Sequence, residues 1–193
     1  MSSDFKAALE AAEIIREDDD WRFVQAEVGT GDEGHYVLEV KGGRLLVCQE
    51  VIYRWMSGTF QQVWTARLFV LLLDMTFVDP CYFEAPDAAK AAALDIVRTL
   101  VSFRDLPWHE CPGWCQKGSG RYRIVLTPTS KRDSDRVVRQ GVAYCLRDVT
   151  NVEKMWMPFL FGDSLTSAMA KVDQACRACQ GVMSHPLFCK EGP

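Results

Sequence analysis

The chain is short of the features that most directly announce a function. No stretch approaches the roughly 18 consecutive apolar residues that a membrane helix needs. The most apolar run, Ala66 to Leu73, is interrupted by Arg67 and closed by Asp74. Only three histidines are present, His35, His109 and His185, and none sits in a G-x-S-x-G, H-E-x-x-H or paired-acid pattern. Local spacing therefore supplies no ready-made nucleophile, metalloprotease or glycosidase constellation. There are no internal repeats and no low-complexity linkers, so the 193 residues read as a single domain. A composition of 48% hydrophobic and 25% charged residues is that of an ordinary globular chain. The opening residues, MSSDFKAALEAAEIIREDDD, pattern as an acidic amphipathic helix and not as a basic region leading into an apolar one. A soluble, cytoplasmic protein is expected, whose eight cysteines are thiols, because a reducing compartment disfavours disulfides.

What is present is uneven charge and several apolar segments. Residues 1 to 34 carry ten acids against three bases, whereas Lys117 to Arg139 holds seven bases against Asp133 and Asp135. A basic stretch raises nucleic acid as a partner, because phosphate neutralisation needs clustered Lys and Arg. The net charge of −4, the interrupting acids and the lack of an accompanying aromatic ladder argue against it.

Helical spacing of Phe5, Ala8, Leu9, Ala12 and Ile15 predicts a first helix that ends at Asp18 to Asp20. Strands are expected over 21–28, 35–40 and 44–53, the last two joined at Lys41-Gly42-Gly43. Thr59 followed by Gln62 resembles a capping box, which predicts a buried helix to about Asp74; a long central strand is the alternative, since periodicity does not separate the two in so apolar a segment. Met75 to Val78 reads as extended, and Pro86 opens an Ala-rich helix that runs to Phe103. Leu106 to Ser119, with two prolines and two glycines, reads as an irregular loop. Next come a strand over 121–127 with a partner over 137–149, then a helix from about Ser164 to Gln180, capped by Asp163 and ended by Gly181. Residues 184–193 read as a flexible tail. This order predicts an α+β fold, one antiparallel sheet of five or six strands with helices mainly on one face and a long C-terminal helix. Its element order resembles that of type III secretion chaperones, and its terminal helix over a sheet resembles helix-grip lipid-binding domains.

Three constellations carry functional weight. Met155, Trp156, Met157, Pro158, Phe159, Leu160 and Phe161 form an unbroken apolar run, which either plugs the core or offers adaptable Met and aromatic groups to a partner. Trp55, Met56, Phe60 and Trp64 are placed to form a facing wall. Cys176 and Cys179 lie on one helical stripe with Leu165, Met169 and Val172, where packing accounts for them; with His185 and Cys189 their spacing departs from that of a zinc knuckle, and with Cys111 and Cys115 they could complete a second set of four ligands for a structural zinc. Gly29, Gly31 and Gly34 spell G-x-G-x-x-G, yet a strand comes next where a phosphate-binding helix is required. The expected function is a non-catalytic protein-binding or chaperone-like adaptor without cofactor. The alternatives are a helix-grip-like carrier of a lipid or other hydrophobic ligand, and an enzyme with a Cys/His site around His109.

Overall fold

The computed structural model describes residues 14–18, 20–25, 34–54, 57–132, 137–150 and 157–189. Among the described residues, eleven strands form two antiparallel sheets, each followed by an 18-residue helix. The first sheet comprises β1 (Ile14–Asp18), β2 (Trp21–Val24), β3 (His35–Val40), β4 (Gly43–Arg54), β5 (Thr59–Val70) and β6 (Met75–Val78), neighbours in space as in sequence. Helix α1 (Pro86–Phe103) then lies on β4 and β5. The second sheet comprises β7 (His109–Cys111), β8 (Trp114–Lys117), β9 (Tyr122–Arg132), β10 (Val138–Asp148) and β11 (Phe159–Phe161), again in sequence order. Helix α2 (Leu165–Val182) lies on β9 and β10 and packs against α1, and α3 (Pro186–Cys189) closes the described chain. No helix among the described residues is long and apolar enough to cross a membrane.

The α+β class, the antiparallel pairing and the long C-terminal helix agree with the expectation from sequence. Several details differ, and the first is the single sheet, which is in fact two. The predicted helix over 59–74 is strand β5 through Val70, followed by a 3-10 turn at Leu71–Leu73. Its twelve residues pair one for one with β4, from Thr59 opposite Arg54 to Val70 opposite Gly43. At its inner end the strand buries Ala66, Leu68 and Val70 on one face, while the half-buried Phe69 makes the opposite face apolar as well, so the sequence lacks the clean apolar-polar alternation that identifies a strand. The predicted loop 106–119 contains β7 and β8, too short to show a period. Ile14–Asp18, expected as the end of a helix, is an edge strand bulged between Ile14 and Arg16; the rest of that helix lies outside the described residues. Pro186–Cys189, in the expected tail, is helical and seats Phe188 in the core.

Local chemistry explains the helix ends. Pro86 occupies the first turn of α1, where its missing N–H costs no hydrogen bond. Ser164 caps α2 by accepting from the Ser167 N–H at 3.1 Å, while Asp163, the expected cap, accepts from Ser167 Oγ at 2.7 Å and Lys171 Nζ at 2.6 Å. Gly181 does not end the helix, which runs on to Val182. At the β3–β4 turn Gly42 takes φ +81°, a left-handed conformation that L side chains rarely adopt.

One apolar cluster spans both sheets and the three described helices. The small residues Ala89 and Ala93 of α1 and Ala168 and Ala175 of α2 are fully buried in this cluster, as are the larger Leu45, Leu68, Leu100 and Leu126. Burying each such leucine contributes about 1.5 to 3 kcal/mol before conformational entropy is subtracted. The two sheets meet where β6 approaches β10: the Thr76 N–H donates to the Tyr144 hydroxyl at 2.8 Å, and the Tyr144 and Phe77 rings meet edge to face at 5.7 Å.

Candidate functional site

The β4–β5 ladder outruns its neighbours. β3 pairs with β4 no further than Cys48, and β6 with β5 no further than Arg67, although a bridge from Phe83 reaches Trp64. Past these points the two strands continue as a ribbon to Arg54 and Thr59, with no third strand among the described residues. Directly opposed residues share a face. The face that carries Leu45, Val47, Ala66 and Leu68 into the core therefore continues outward as Gln49 with Trp64, Val51 with Gln62, and Tyr53 with Phe60. The apolar alternation persists after the core has ended. Tyr53 and Phe60 pack ring on ring at 5.2 Å, yet Phe60 is 76% exposed and Val51 55% exposed.

Of the predicted surface residues, Phe60 is thus displayed at the ribbon end. Trp64 is half-buried at the core margin, with its ring 5.7 Å from Tyr36. Trp55, Met56, Met155 and Trp156 lie outside the described residues. Met157 is half-buried, and strand alternation divides the residues of β11: Leu160 enters the core, while Phe159 and Phe161 share the outer face at 4.6 Å, Phe161 being 48% exposed. The expected facing wall is not brought together at the described residues, since Phe60 packs on Tyr53, Trp64 on Tyr36 and Phe159 on Phe161. Tyr53 and Val51 were not anticipated as part of the surface. Their alternation was visible, but where the core stops is a tertiary property.

The four cysteines considered for zinc are dispersed. Cys111 opposes Trp114 and Cys115 opposes Glu110, so these two thiols point to opposite faces of the β7–β8 hairpin. Cys176 and Cys179 are buried in the α2 stripe. Among the described residues no three His, Cys, Asp or Glu side chains gather to hold a metal. Burial pushes the Cys115 thiol up to about 11 and those of Cys176 and Cys179 up to about 12, so all three are neutral packing groups at pH 7. Replacing Cys176 and Cys179 together by Ala is expected to cost about 1 to 3 kcal/mol through lost packing. Chelators should leave the melting temperature unchanged; a chelator-sensitive melt, or one zinc per chain lost in the double variant, would overturn the packing account.

A cluster of titratable groups lies where the sheets adjoin. Asp148, fully buried, accepts from Arg121 Nε at 2.7 Å, from the Thr150 N–H at 2.9 Å and from Thr150 Oγ1 at 2.7 Å; the Arg121 hydrogen bond leads in holding it at about 2. Buried Asp79 accepts from the Cys81 N–H at 2.8 Å, and desolvation raises its carboxyl. Burial, reinforced by the Asp79 charge, raises the Cys81 thiol as well. A thiol shifted in that direction is a poor nucleophile at neutral pH, so the cluster reads as a clasp between sheets. His109 is exposed and shares a face of β7 with Cys111, His185 Nδ1 accepts from the Leu187 N–H at 3.4 Å, and His35 sits in β3 opposite Cys48. Gly34 has φ +99° and leads directly into β3; Gly29 and Gly31 lie outside the described residues.

No protein-family model matches the chain, and neither a curated protein nor a solved structure does.

Proposed function

We propose that the chain is a non-catalytic binding module that engages another protein through the exposed end of the β4–β5 ribbon. The observation that carries this reading is the Tyr53–Phe60 pair, with two rings displayed on a strand face whose core has ended. Keeping rings in water has no benefit for the fold, whereas aromatic anchors entering a partner's apolar pocket dominate the energetics of many interfaces. Val51 widens the patch, and along the ribbon edges no further strand pairs among the described residues, a setting in which a partner can add backbone hydrogen bonds. The partner is a protein with an apolar groove, met in the cytoplasm, with the chain serving as adaptor or chaperone. The upward-shifted thiols of Cys81, Cys115, Cys176 and Cys179 make these four cysteines poor nucleophiles.

The test is native mass spectrometry of the protein purified from its own cells, wild type beside a Tyr53→Ser, Phe60→Ser variant. Wild type is expected to carry a stoichiometric protein mass that the variant loses. Melting should shift little, since exposed substitutions usually stay within about 0.5 kcal/mol. A retained lipid mass in place of a protein would favour the carrier. A partner kept in full by the variant, or a collapse in its stability, would sink the ribbon as the contact.

A further inference from the structure

We propose that Arg123 and Arg147 form a binding site for a phosphate monoester on the solvent side of the second sheet. The ladder of β9 and β10 places the two arginines directly opposite one another. Side chains so placed start about 4.5 to 5.5 Å apart at Cβ, and like charges there repel. They project away from the core, because Ile124 and Leu146, their neighbours in sequence, point into it.

Nothing described nearby relieves that repulsion. Arg123 Nη1 donates to two carbonyls, Gly120 O at 2.9 Å and Tyr122 O at 2.8 Å, which fixes its guanidinium without neutralising it. Arg147 Nε is buried with no hydrogen-bond partner. The carboxylate next along the chain, Asp148, faces the core and is already occupied by Arg121 and Thr150. Among the described residues, none of the five strands β7 to β11 contributes a carboxylate to the solvent side: β9 and β10 present Thr127, Thr129, Lys131 and Arg139 beyond the arginine pair. In a chain of net charge −4, the charged strand residues described on this face are all cationic, set among Val125, Ala143 and Cys145.

The charge balance sets the chemistry of the missing partner. Two guanidiniums match a phosphate monoester, which carries about −1.5 to −2 at pH 7, whereas a carboxylate or a phosphodiester would neutralise only one of them. The planar fork of arginine suits pairs of phosphate oxygens. The monoester is either a phosphorylated side chain of a protein or a small phosphorylated molecule, with shared chemistry at the site. The pair belongs to a different sheet from the Tyr53–Phe60 ribbon, so this inference stands or falls independently of that reading.

The experiment is calorimetric titration of the full chain with inorganic phosphate and with a phosphoserine peptide, at fixed ionic strength against chloride. Saturable binding of one phosphate per chain is expected, weakened at least about tenfold in Arg147→Gln and in Arg123→Gln. In chloride alone Arg147→Gln should melt at or above the wild-type temperature, because it removes an unsatisfied donor and a like-charge contact. A structural role would move stability the other way. Tighter binding of the peptide than of inorganic phosphate assigns the ligand to a protein, and equal affinity to a small molecule; both fit the site. Absence of saturable binding, unchanged binding in Arg147→Gln, or an Arg147→Gln melt several degrees lower would overturn it. Tight binding of a short single-stranded oligonucleotide that survives both substitutions would overturn it too.

Discussion

Asp173→Ala is expected to lower stability by about 3 to 5 kcal/mol, and Lys117→Met by half of that or less. The asymmetry arises from which charge can reach water. Lys117, at the end of β8, has a side chain only 3% exposed; its ammonium donates to Asp173 Oδ1 at 2.7 Å and to the Arg104 carbonyl, just past α1, at 3.3 Å. Asp173 Oδ1 also accepts from Trp108 Nε1 at 3.1 Å. Truncating Asp173 strands a buried ammonium with one carbonyl and leaves an indole N–H without its acceptor, whereas replacing Lys117 by an apolar chain of similar length leaves a carboxylate that is 27% exposed and still bonded to Trp108. For a domain of this size each kcal/mol moves the melting temperature by roughly 2 to 4 °C, so calorimetry resolves the two variants. Equal losses, or a larger one for Lys117→Met, would mean that the ammonium is hydrated and the pair adds little.

Gly141→Ala is the second large effect, at about 3 kcal/mol. A Cβ built on Gly141 would stand 2.2 Å from the Leu160 carbonyl oxygen and 2.6 Å from the Phe159 ring. The ring can rotate, but the oxygen belongs to the strand that pairs there, so β11 must move away from β10. Removing β11 withdraws Leu160 from the core and releases the outer Phe159–Phe161 pair. Hydrogen exchange should show the amides of 159–161 losing protection while those of the β8–β9 ladder keep theirs. Uniform loss, or a melt within about 1 °C of wild type, would contradict the close approach.

Sequence reasoning reached the elements whose pattern is set locally. The β3–β4 turn was announced by Gly42, α1 by Pro86 and its alanines, and α2 by the stripe through Val172, Cys176 and Cys179. It failed where the deciding contact is remote. Thr59 and Gln62 imitate a helix cap, but the twelve-residue pairing with β4 outweighs that local preference. The hairpin His109–Lys117 has strands of three and four residues, and its register comes from β9. The candidate surfaces divide similarly. Phe60 and Phe161 could be named as apolar groups, but whether each faced core or solvent depended on where neighbouring strands stopped. The facing of Arg123 and Arg147 depended on the register of β9 with β10, which their spacing alone does not specify.

The strand order of the two sheets has a consequence for how the chain acquires its structure. Every described strand pairs with a strand next to it in sequence, so no rung among the described residues must wait for a distant segment, and the loop-closure entropy of each pairing is small. The first sheet and α1 contain all their own strand partners before residue 104 has been synthesised. During translation this half can assemble while the second is still inside the ribosome. The later half then arrives at a finished surface, where the Thr76 amide and the face of α1 await Tyr144 and α2.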